Sequence, residues 1–347
     1  MKKLFFLSLV LLAAGSFSSA AEQTEKVYPH TTWAIGTIIT SQVKAPSEEK
    51  ADYCHKLVND ETRRLEYLLS AYDPDSDISR LGKNAGSWVE ISKETAEVLR
   101  LSNKISAQTH GTYDPTVGTL VKLWSVDQDT HRIPSEEEIN NALQDVGYSS
   151  IEIKTENGKD YAKIGQNQEI TLGAIGKGYI ADKVLELLNK KGCKNTLLSF
   201  GGNIIANGTN AENKPWRVGL QTPVKDRGYY FAVLPLDNAS IVTSGDYEKF
   251  FVQDGIKYHH LLNPLTGKPV RATLSSVTIY NTNSATADAL CTALFVMGWD
   301  KAINYLKAHP DLMAVLMDED HRKVAYTKNL EGKLQIVDKY LQTSIIE

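Results

Sequence analysis

The feature that most constrains the fold of this sequence is the way its strand-like segments follow one another. Short runs rich in β-branched and aromatic residues come in pairs around turn-forming residues such as Asn157-Gly158, and this pattern is typical of antiparallel hairpins. Helix-like segments are interspersed among these pairs and do not alternate strictly with single strands. This order predicts an α+β fold with antiparallel sheets and disfavours a doubly wound parallel sheet.

Local signals also mark the ends of several helices. Ser47 precedes a long apolar stripe, and Ser135 and Glu138 have the spacing of a capping box. Another helix is expected from about residue 92 to residue 109, before Gly111. Further helices are expected at residues 179–191, 286–297 and 301–308, a hairpin at residues 151–164, and strands at residues 196–200 and near Ala314 and Val324.

The N-terminus has the features of a secretory signal peptide. Residues 1–20 contain two lysines, an apolar run too short to span a bilayer, and small residues suited to cleavage. Because no cysteine lies near the cleavage region, we do not expect a lipid anchor. We expect the mature chain, residues 21–347, to be exported and to form one domain, either a single core or two packed lobes, without a transmembrane helix.

Composition excludes other classes of protein. The net charge of −4 is spread along the chain without a basic block, which argues against a nucleic-acid partner or an anionic membrane surface. A chain of 347 residues can bury a large core, so we expect it to fold without a disulfide framework. The three cysteines, Cys54, Cys193 and Cys291, are therefore expected to be buried free thiols and not a metal cluster or redox pair.

A glycine-rich stretch, ITLGAIGKGYIADK at residues 170–183, is the first candidate site. Its glycines let backbone amides approach a ligand, a helix follows, and Lys177 adds a positive charge suited to phosphate. The spacing matches neither the Walker motif nor the dinucleotide fingerprint. Spacing alone leaves two interpretations in balance: a phosphate-binding loop, and a tight strand-to-helix turn with an exposed lysine.

Two further segments carry side chains suited to catalysis. Asp288 and Thr292 share a helix face and offer hard oxygen ligands for Mg²⁺ or Ca²⁺, although an aspartate at a helix start with a back-bonded threonine is a commoner cause of this spacing. His259 and His260 offer a general base, and alternation along a strand would leave one packed and the other solvated. Side chains that could stack on a planar ligand or accept hydrogen bonds occur at Tyr72, Tyr113 and Asp114.

The order of these segments resembles that of one known family. Eight motifs follow one another along nearly the whole chain: AIGT (34–37), SAYDPDSDISRL (70–81), GTYDPTVGTLVKLW (111–124), TLGAIGKGYIAD (171–182), SFGGN (199–203), TSGDY (243–247), HHLLNPLTGKP (259–269) and ATADALCTALFVMG (285–298). Together they closely resemble the ApbE family of FAD-dependent protein FMN transferases. The resemblance implies a T-fold-like α+β architecture in a periplasmic protein that binds FAD, with Mg²⁺ at the pyrophosphate.

The resemblance also implies roles for individual residues. The metal ligands would be the Ala174 carbonyl, the Asp288 carboxylate and the Thr292 hydroxyl, while His260 would assist deprotonation of the acceptor. The residues matching the family's FAD contacts are Ile35, Tyr72, Thr112, Tyr113, Asp114, Thr171, Lys177 and Leu262. Three positions depart from the usual family residues: Ile35 replaces methionine, and Thr171 and Asn263 replace aspartates. The loss of these carboxylates argues against an acid–base role at residues 171 and 263.

The reaction implied by the resemblance is transfer of FMN from FAD to a threonine or serine hydroxyl of a partner protein, with release of AMP. The partner would be an exported or membrane-bound redox subunit. Two alternatives remain, a Mg²⁺-dependent FAD pyrophosphatase that uses water as the acceptor and a non-enzymatic periplasmic FAD-binding protein. The pairing of Asp288 with Thr292 argues against simple binding.

Overall fold

The computed structural model describes residues 25–126, 128–224, 228–271 and 273–347, so the predicted signal peptide lies outside the described residues. The helices in these ranges are α1 (Glu48–Leu69), α2 (Asp77–Lys83), α3 (Lys93–Gln108), α4 (Gly118–Trp124), α5 (Glu136–Leu143), α6 (Gly176–Lys190), α7 (Ser284–Met297) and α8 (Trp299–Ala308). The strands are β1 (Lys26–Ala34), β2 (Thr37–Ala45), β3 (Val89–Ile91), β4 (Glu152–Glu156), β5 (Lys159–Lys163), β6 (Thr196–Phe200), β7 (Asn203–Asn207), β8 (Trp216–Gln221), β9 (Tyr230–Leu236), β10 (Ser240–Gly245), β11 (Phe250–Gln253), β12 (Ile256–His259), β13 (Leu274–Asn281), β14 (Met313–Asp318), β15 (Lys323–Thr327), β16 (Gln335–Ile336) and β17 (Gln342–Ile346).

A sheet of nine strands within these ranges forms the centre of the molecule. Its order is β1-β2-β6-β7-β10-β13-β14-β15-β17, and neighbouring strands are antiparallel except for the parallel pair β15 and β17. In the first hairpin, Ile35 and Gly36 have φ values of 48° and 66°, which suits a two-residue connection between twisted strands. The predicted α+β class with antiparallel sheets is confirmed.

The two faces of the large sheet are covered differently. Helices α1, α6, α7 and α8 pack on one face and bury side chains such as Phe200 and Phe295. A small sheet of β16, β9 and β8 packs on the other face through Trp216 and Phe231. Helix α3 packs on α1 and α7, and a further small sheet, β3-β5-β4, packs on α3. The hairpin β11–β12 lies against α4 and α5, where Phe251 joins their apolar cluster.

Several turns meet where strands of the large sheet end, on one side of the sheet, and we call this region the site edge. The β1–β2 turn lies beside the turn that follows β6, because the Gly201 amide donates to the Ile38 carbonyl at 3.1 Å. The end of β10 lies at the same edge, since β10 runs antiparallel to β7. The Thr292 hydroxyl lies 3.5 Å from that of Ser244 near the end of β10, so α7 also reaches the site edge.

Most of the predicted elements are confirmed. The capping box at Ser135 and Glu138 is present, and β4 and β5 form the predicted hairpin. Helix α6 begins at Gly176 and not at Tyr179, while the last strands, β16 and β17, were not predicted. Among the described residues, no helix is both long and apolar enough to span a membrane.

The expectation for the cysteines is wrong for two of the three. Cys54 on α1 and Cys193 after α6 form a disulfide, with their Cα atoms 6.0 Å apart. The two residues are separated by 139 positions in sequence and meet because α1 packs against α6. Local sequence carries no trace of such a long-range approach. Cys291 is free and buried, as expected.

Candidate functional site

The glycine-rich stretch forms a turn that leads into α6. The Thr171 amide donates to the Pro115 carbonyl at 2.8 Å, and the Gly173 amide donates to the Thr171 hydroxyl at 3.3 Å. Lys177 Nζ donates back to the Gly173 carbonyl at 3.1 Å. The turn is therefore anchored to the segment 112–117, and Lys177 folds over it instead of extending into solvent.

The first turn of α6 receives a side chain from α7. Gly178 is the third residue of α6, so its amide has no acceptor within the helix. It donates instead to Asp288 Oδ2 at 2.9 Å, and no backbone amide among the described residues bonds to the Ala174 carbonyl. The structure thus provides a free carbonyl oxygen one helical turn before a residue that contacts the Asp288 carboxylate.

Gly178 is required by the close approach of α6 and α7. A Cβ at residue 178 would lie 2.2 Å from the Ser284 carbonyl oxygen, which no side chain can tolerate. On α7, Asp288 is buried and Thr292 is partly exposed one turn later. The packing of the two helices therefore brings the Asp288 carboxylate onto α6.

The donor set fits a hard cation such as Mg²⁺. A carbonyl, a carboxylate and a hydroxyl are the oxygen ligands that Mg²⁺ and Ca²⁺ prefer. Among the described residues there is no cluster of three His, Cys, Asp or Glu side chains able to hold a metal. A cation bound by Ala174, Asp288 and Thr292 would thus need further oxygen atoms from a ligand.

Tyr113 and Asp114 are buried and bonded within the protein. The Tyr113 hydroxyl lies 3.0 Å from that of Ser102, and burial raises the pKa of Tyr113, with a smaller contribution from Asp288. The Asp114 carboxylate accepts hydrogen bonds from the Thr116 amide, the Thr116 hydroxyl and the Tyr148 amide, at 2.8, 2.6 and 2.9 Å. Burial raises the pKa of Asp114 as well. These two side chains order the loop that holds the partly exposed Thr112.

Ile35 and Tyr72 form a separate region of the site. The Ile35 amide donates to Glu66 Oε1 at 2.7 Å near the end of α1, and Tyr72 follows that helix with 75% of its side chain exposed. The β1–β2 turn and the open Tyr72 ring therefore flank the same end of α1. Such an exposed ring is available for stacking on a planar ligand.

The two histidines have different surroundings. His259 is buried, its Nδ1 accepts from the Leu261 amide at 3.2 Å, and its Nε2 donates to the Val270 carbonyl at 2.6 Å. Both ring nitrogens of His259 are therefore occupied within the protein. His259 is the packed histidine of the predicted pair, whereas His260 is partly buried and not solvated as expected.

His260 keeps one ring nitrogen available. Its Nδ1 lies 3.1 Å from the Lys249 carbonyl, and because a carbonyl can only accept, Nδ1 carries the proton and Nε2 is left as an acceptor. Burial lowers the pKa of His260 to about 4, and the charge of Lys177 contributes to this shift. His260 is thus neutral at neutral pH and lies within the electrostatic reach of Lys177.

The turn that follows His260 is fixed by packing of Leu262 and by a hydrogen bond of Asn263. Leu262 is buried with Trp124 and Phe251 in the cluster that joins β11–β12 to α4 and α5. Asn263 Oδ1 accepts from the Leu265 amide at 2.9 Å, a turn contact that an aspartate would make equally well. At residue 263 the departure from the family pattern therefore preserves the local structure.

The structure gathers the predicted residues into three groups. Ala174, Lys177, Asp288 and Thr292 lie where α6 meets α7, with Thr171 and the segment 112–114 joined to them through Pro115. The remaining groups are His260 with Leu262, and Ile35 with Tyr72. Asp182, for which the sequence predicts no role, accepts hydrogen bonds from the first two amides of α7 through its carboxylate. The sequence feature that could have identified Asp182 is its position one helical turn after Gly178.

Comparison with known proteins identifies the family of the chain. The model of the ApbE family matches residues 35–317. The FAD:protein FMN transferase of Treponema pallidum is 29% identical over 346 residues, covering 95% of each chain, and that of Vibrio cholerae is 32% identical over 262 residues, covering 74% of this chain and 78% of its own. The crystal structure of the ApbE protein from Thermotoga maritima has a TM-score of 0.81 at 29% identity and covers 89% of this chain and 99% of that chain. The chain therefore belongs to the ApbE family.

Proposed function

We propose that this protein transfers FMN from FAD to a threonine or serine hydroxyl of a partner protein, releasing AMP and leaving the flavin attached through a phosphoester. The observation that carries the proposal is the meeting of α6 and α7, where Asp288 bonds to the Gly178 amide, one turn after Ala174, and Lys177 bonds back to the Gly173 carbonyl. The family relatives named FAD:protein FMN transferase support the same class of reaction.

We further propose that the cation is Mg²⁺, held by the Ala174 carbonyl, Asp288 and Thr292. All three donors are oxygen atoms and only one is a carboxylate, so phosphate oxygens of FAD would complete the shell. When bound, Mg²⁺ would neutralise the charge that develops on the pyrophosphate.

The chain itself contributes positive charge and orientation to the same phosphates. The Gly176 amide donates to the Leu172 carbonyl and the Gly178 amide to Asp288, so among the described residues the Lys177 amide is the one in the first turn of α6 left to attract an anion. Lys177 adds a full charge there, and its bond to the Gly173 carbonyl holds the ammonium group over the loop. Tyr72 would stack on a ring of FAD at the other end of the ligand, because its ring is open to solvent.

His260 would serve as the general base. The acceptor hydroxyl oxygen forms a bond to the phosphorus of the FMN moiety, the bond from that phosphorus to the AMP oxygen breaks, and the hydroxyl proton moves to His260 Nε2. The Lys249 carbonyl holds Nδ1–H and thereby fixes the tautomer that this step requires. A bound pyrophosphate would offset the charge of Lys177 and raise the pKa of His260, which makes the imidazole a stronger base.

A periplasmic location is proposed on two grounds. Residues 1–20 have the pattern of a secretory signal, and the disulfide between Cys54 and Cys193 is of a kind that persists in oxidising compartments. The acceptor would then be an exported or membrane-bound redox subunit with an accessible hydroxyl.

The test is to incubate the purified protein with FAD, Mg²⁺ and a candidate acceptor and to measure AMP together with flavin bound covalently to the acceptor. AMP and flavinylated acceptor in equal amounts would support the proposal. AMP accompanied by free FMN would instead indicate an FAD pyrophosphatase, and intact bound FAD a binding protein. A parallel reaction with a metal chelator tests the need for the cation.

A further inference from the structure

The start of α7 is held by a side chain from α6. Asp182 Oδ1 accepts a hydrogen bond from the Ser284 amide at 2.8 Å, and Oδ2 accepts from the Ala285 amide and from Asn283 Nδ2, each at 2.9 Å. Ser284 and Ala285 are the first two residues of α7, whose amides have no acceptor within their own helix. Asp182 therefore caps α7 from a neighbouring element.

Asp288 makes the reverse contact, from α7 to the first turn of α6. Its Oδ2 accepts from the Gly178 amide at 2.9 Å. The carboxylates of Asp182 and Asp288 and the amides of Gly178, Ser284 and Ala285 thus form what we call the reciprocal clamp. Burial raises the pKa of Asp182 to about 6 and the charge of Asp288 adds to the rise, which agrees with two carboxylates held near each other.

The reciprocal clamp controls the spacing of the proposed metal ligands. Ala174 lies two residues before α6, whereas Asp288 and Thr292 belong to α7, so the distance between the two sets depends on how the helices lie against each other. Backbone contact at Gly178 prevents a closer approach. The clamp hydrogen bonds oppose sliding and separation.

We propose that Asp182 is a positioning residue for the cation site: it holds Asp288 and Thr292 opposite the Ala174 carbonyl and does not bind the cation itself. The inference rests on the proposed function, because it concerns the same site.

The test is calorimetric titration of the FAD-loaded protein with Mg²⁺, which measures affinity without relying on turnover. We expect Asp182→Ala to weaken Mg²⁺ binding by about 10- to 100-fold, the usual effect of losing a residue that orients a metal ligand. Asp182→Asn keeps one oxygen acceptor, so it should weaken Mg²⁺ binding less than Asp182→Ala does. FAD affinity measured without Mg²⁺ should change little in either variant, because Asp182 lies outside the residues proposed to bind flavin.

Asp77→Ala is the matched control. Asp77 is a buried carboxylate of α2 that, like Asp182, binds the start of another helix: its Oδ2 accepts from the Ser92 amide at 2.8 Å and from the Thr95 hydroxyl at 2.7 Å at α3. Its loss should lower stability while Mg²⁺ affinity stays at the wild-type value. An equal loss of Mg²⁺ affinity in Asp77→Ala would overturn the inference, because it would reveal a general effect of destabilisation.

The remaining outcomes separate the inference from the function on which it rests. Normal Mg²⁺ binding by the wild type and by both Asp182 variants would refute the positioning role alone. If Asp182→Ala does not fold, the milder Asp182→Asn decides by the same comparison. A wild-type protein that binds FAD but never Mg²⁺ would refute the proposed function and the inference with it.

Discussion

The two parts of the site that would act on the phosphate and on the acceptor are supported very differently. Asp288 lies on α7, which is buried along most of its length and packs on β10, β13 and α6. His260 directly follows β12, whose hairpin with β11 pairs with no other strand among the described residues. That hairpin leaves Phe250 and Val252 exposed by 45% and 60%.

This difference indicates that the proposed cation ligand Asp288 belongs to the core, whereas the proposed base His260 lies beside an exposed hairpin. Buried helices with few degrees of freedom keep oxygen ligands at fixed separations, as cation binding requires. A base that must meet a separate protein needs access to solvent, and an exposed hairpin provides it. Substitutions near Asp288 should therefore affect both folding and chemistry, whereas those at His260 should affect chemistry alone.

The largest effect is expected from Asp288→Ala. Transfer should fall by about 1,000-fold or more, because a bound cation contributes several kcal/mol of charge stabilisation, while FAD binding survives in part. The Gly178 amide loses its acceptor, so the free energy of unfolding should drop by about 1 to 3 kcal/mol. AMP release and urea unfolding measure the two effects. Asp300→Ala, at an exposed carboxylate on α8, is the control, and full transfer activity in Asp288→Ala would reject the metal assignment.

His260→Ala should slow transfer by about 100- to 10,000-fold, the range for a lost general base, with FAD affinity retained. Its unfolding free energy should change by less than about 1 kcal/mol, as is usual for a partly exposed residue. His259→Ala should lower the unfolding free energy and leave the transfer rate nearly unchanged. The substitution leaves the Leu261 amide and the Val270 carbonyl without partners. Single-turnover flavinylation and thermal unfolding separate the two variants, and an unchanged rate in His260→Ala would exclude it as the base.

Removing the disulfide should affect the core without affecting the chemistry. Cys54→Ser with Cys193→Ser opens a loop of 139 residues, and such a loss typically costs about 2 to 5 kcal/mol of unfolding free energy. Transfer at 25 °C should persist, because Cys193 follows the far end of α6 from Gly178. Reductant should destabilise the wild type to the same extent and leave the double variant unchanged. Equal stability of wild type and variant would contradict the structural role of the bond.

The smallest effect is expected from the charge of Lys177 acting on the pKa of His260. Lys177 helps to lower the pKa of His260, and the neutral imidazole is the active form, so activity should be lost as pH falls through that pKa. In Lys177→Met the pKa should rise, because a repelling positive charge is removed. The acid limb of kcat/KM should move to higher pH by less than about one unit, since one partly exposed charge contributes on the order of 1 kcal/mol. An acid limb at the same pH in Lys177→Met and in the wild type would show that the charge of Lys177 does not affect the pKa of His260.

Much of the fold followed from local signals in the sequence. The capping residues Ser47 and Ser135 and the Asn157-Gly158 turn act on backbone groups within a few positions of themselves. Their effects can therefore be predicted without knowing the rest of the chain. The short β16 and β17 lack such signals, because they form by pairing with strands that are distant or already in place.

The candidate site was predicted less completely. The spacing of Asp288 and Thr292 placed both on one helix face, but it left a structural and a functional interpretation open. The hydrogen bond from Gly178 to Asp288, which brings that carboxylate onto α6 one turn after Ala174, could not be read from this spacing. Likewise, only the packing around β12 showed that His259 uses both of its ring nitrogens within the protein.

The sequence by itself determined the fold class, the main helices and strands, and the resemblance to a family, because periodicity, caps and motif order are properties of neighbouring residues. Tertiary structure alone decided that Cys54 pairs with Cys193, that His260 bonds through Nδ1 and keeps Nε2 available, and that Asp182 and Asp288 bond across α6 and α7. Each of these depends on groups far apart in the chain, and whether they meet is fixed only when the helices and sheets pack.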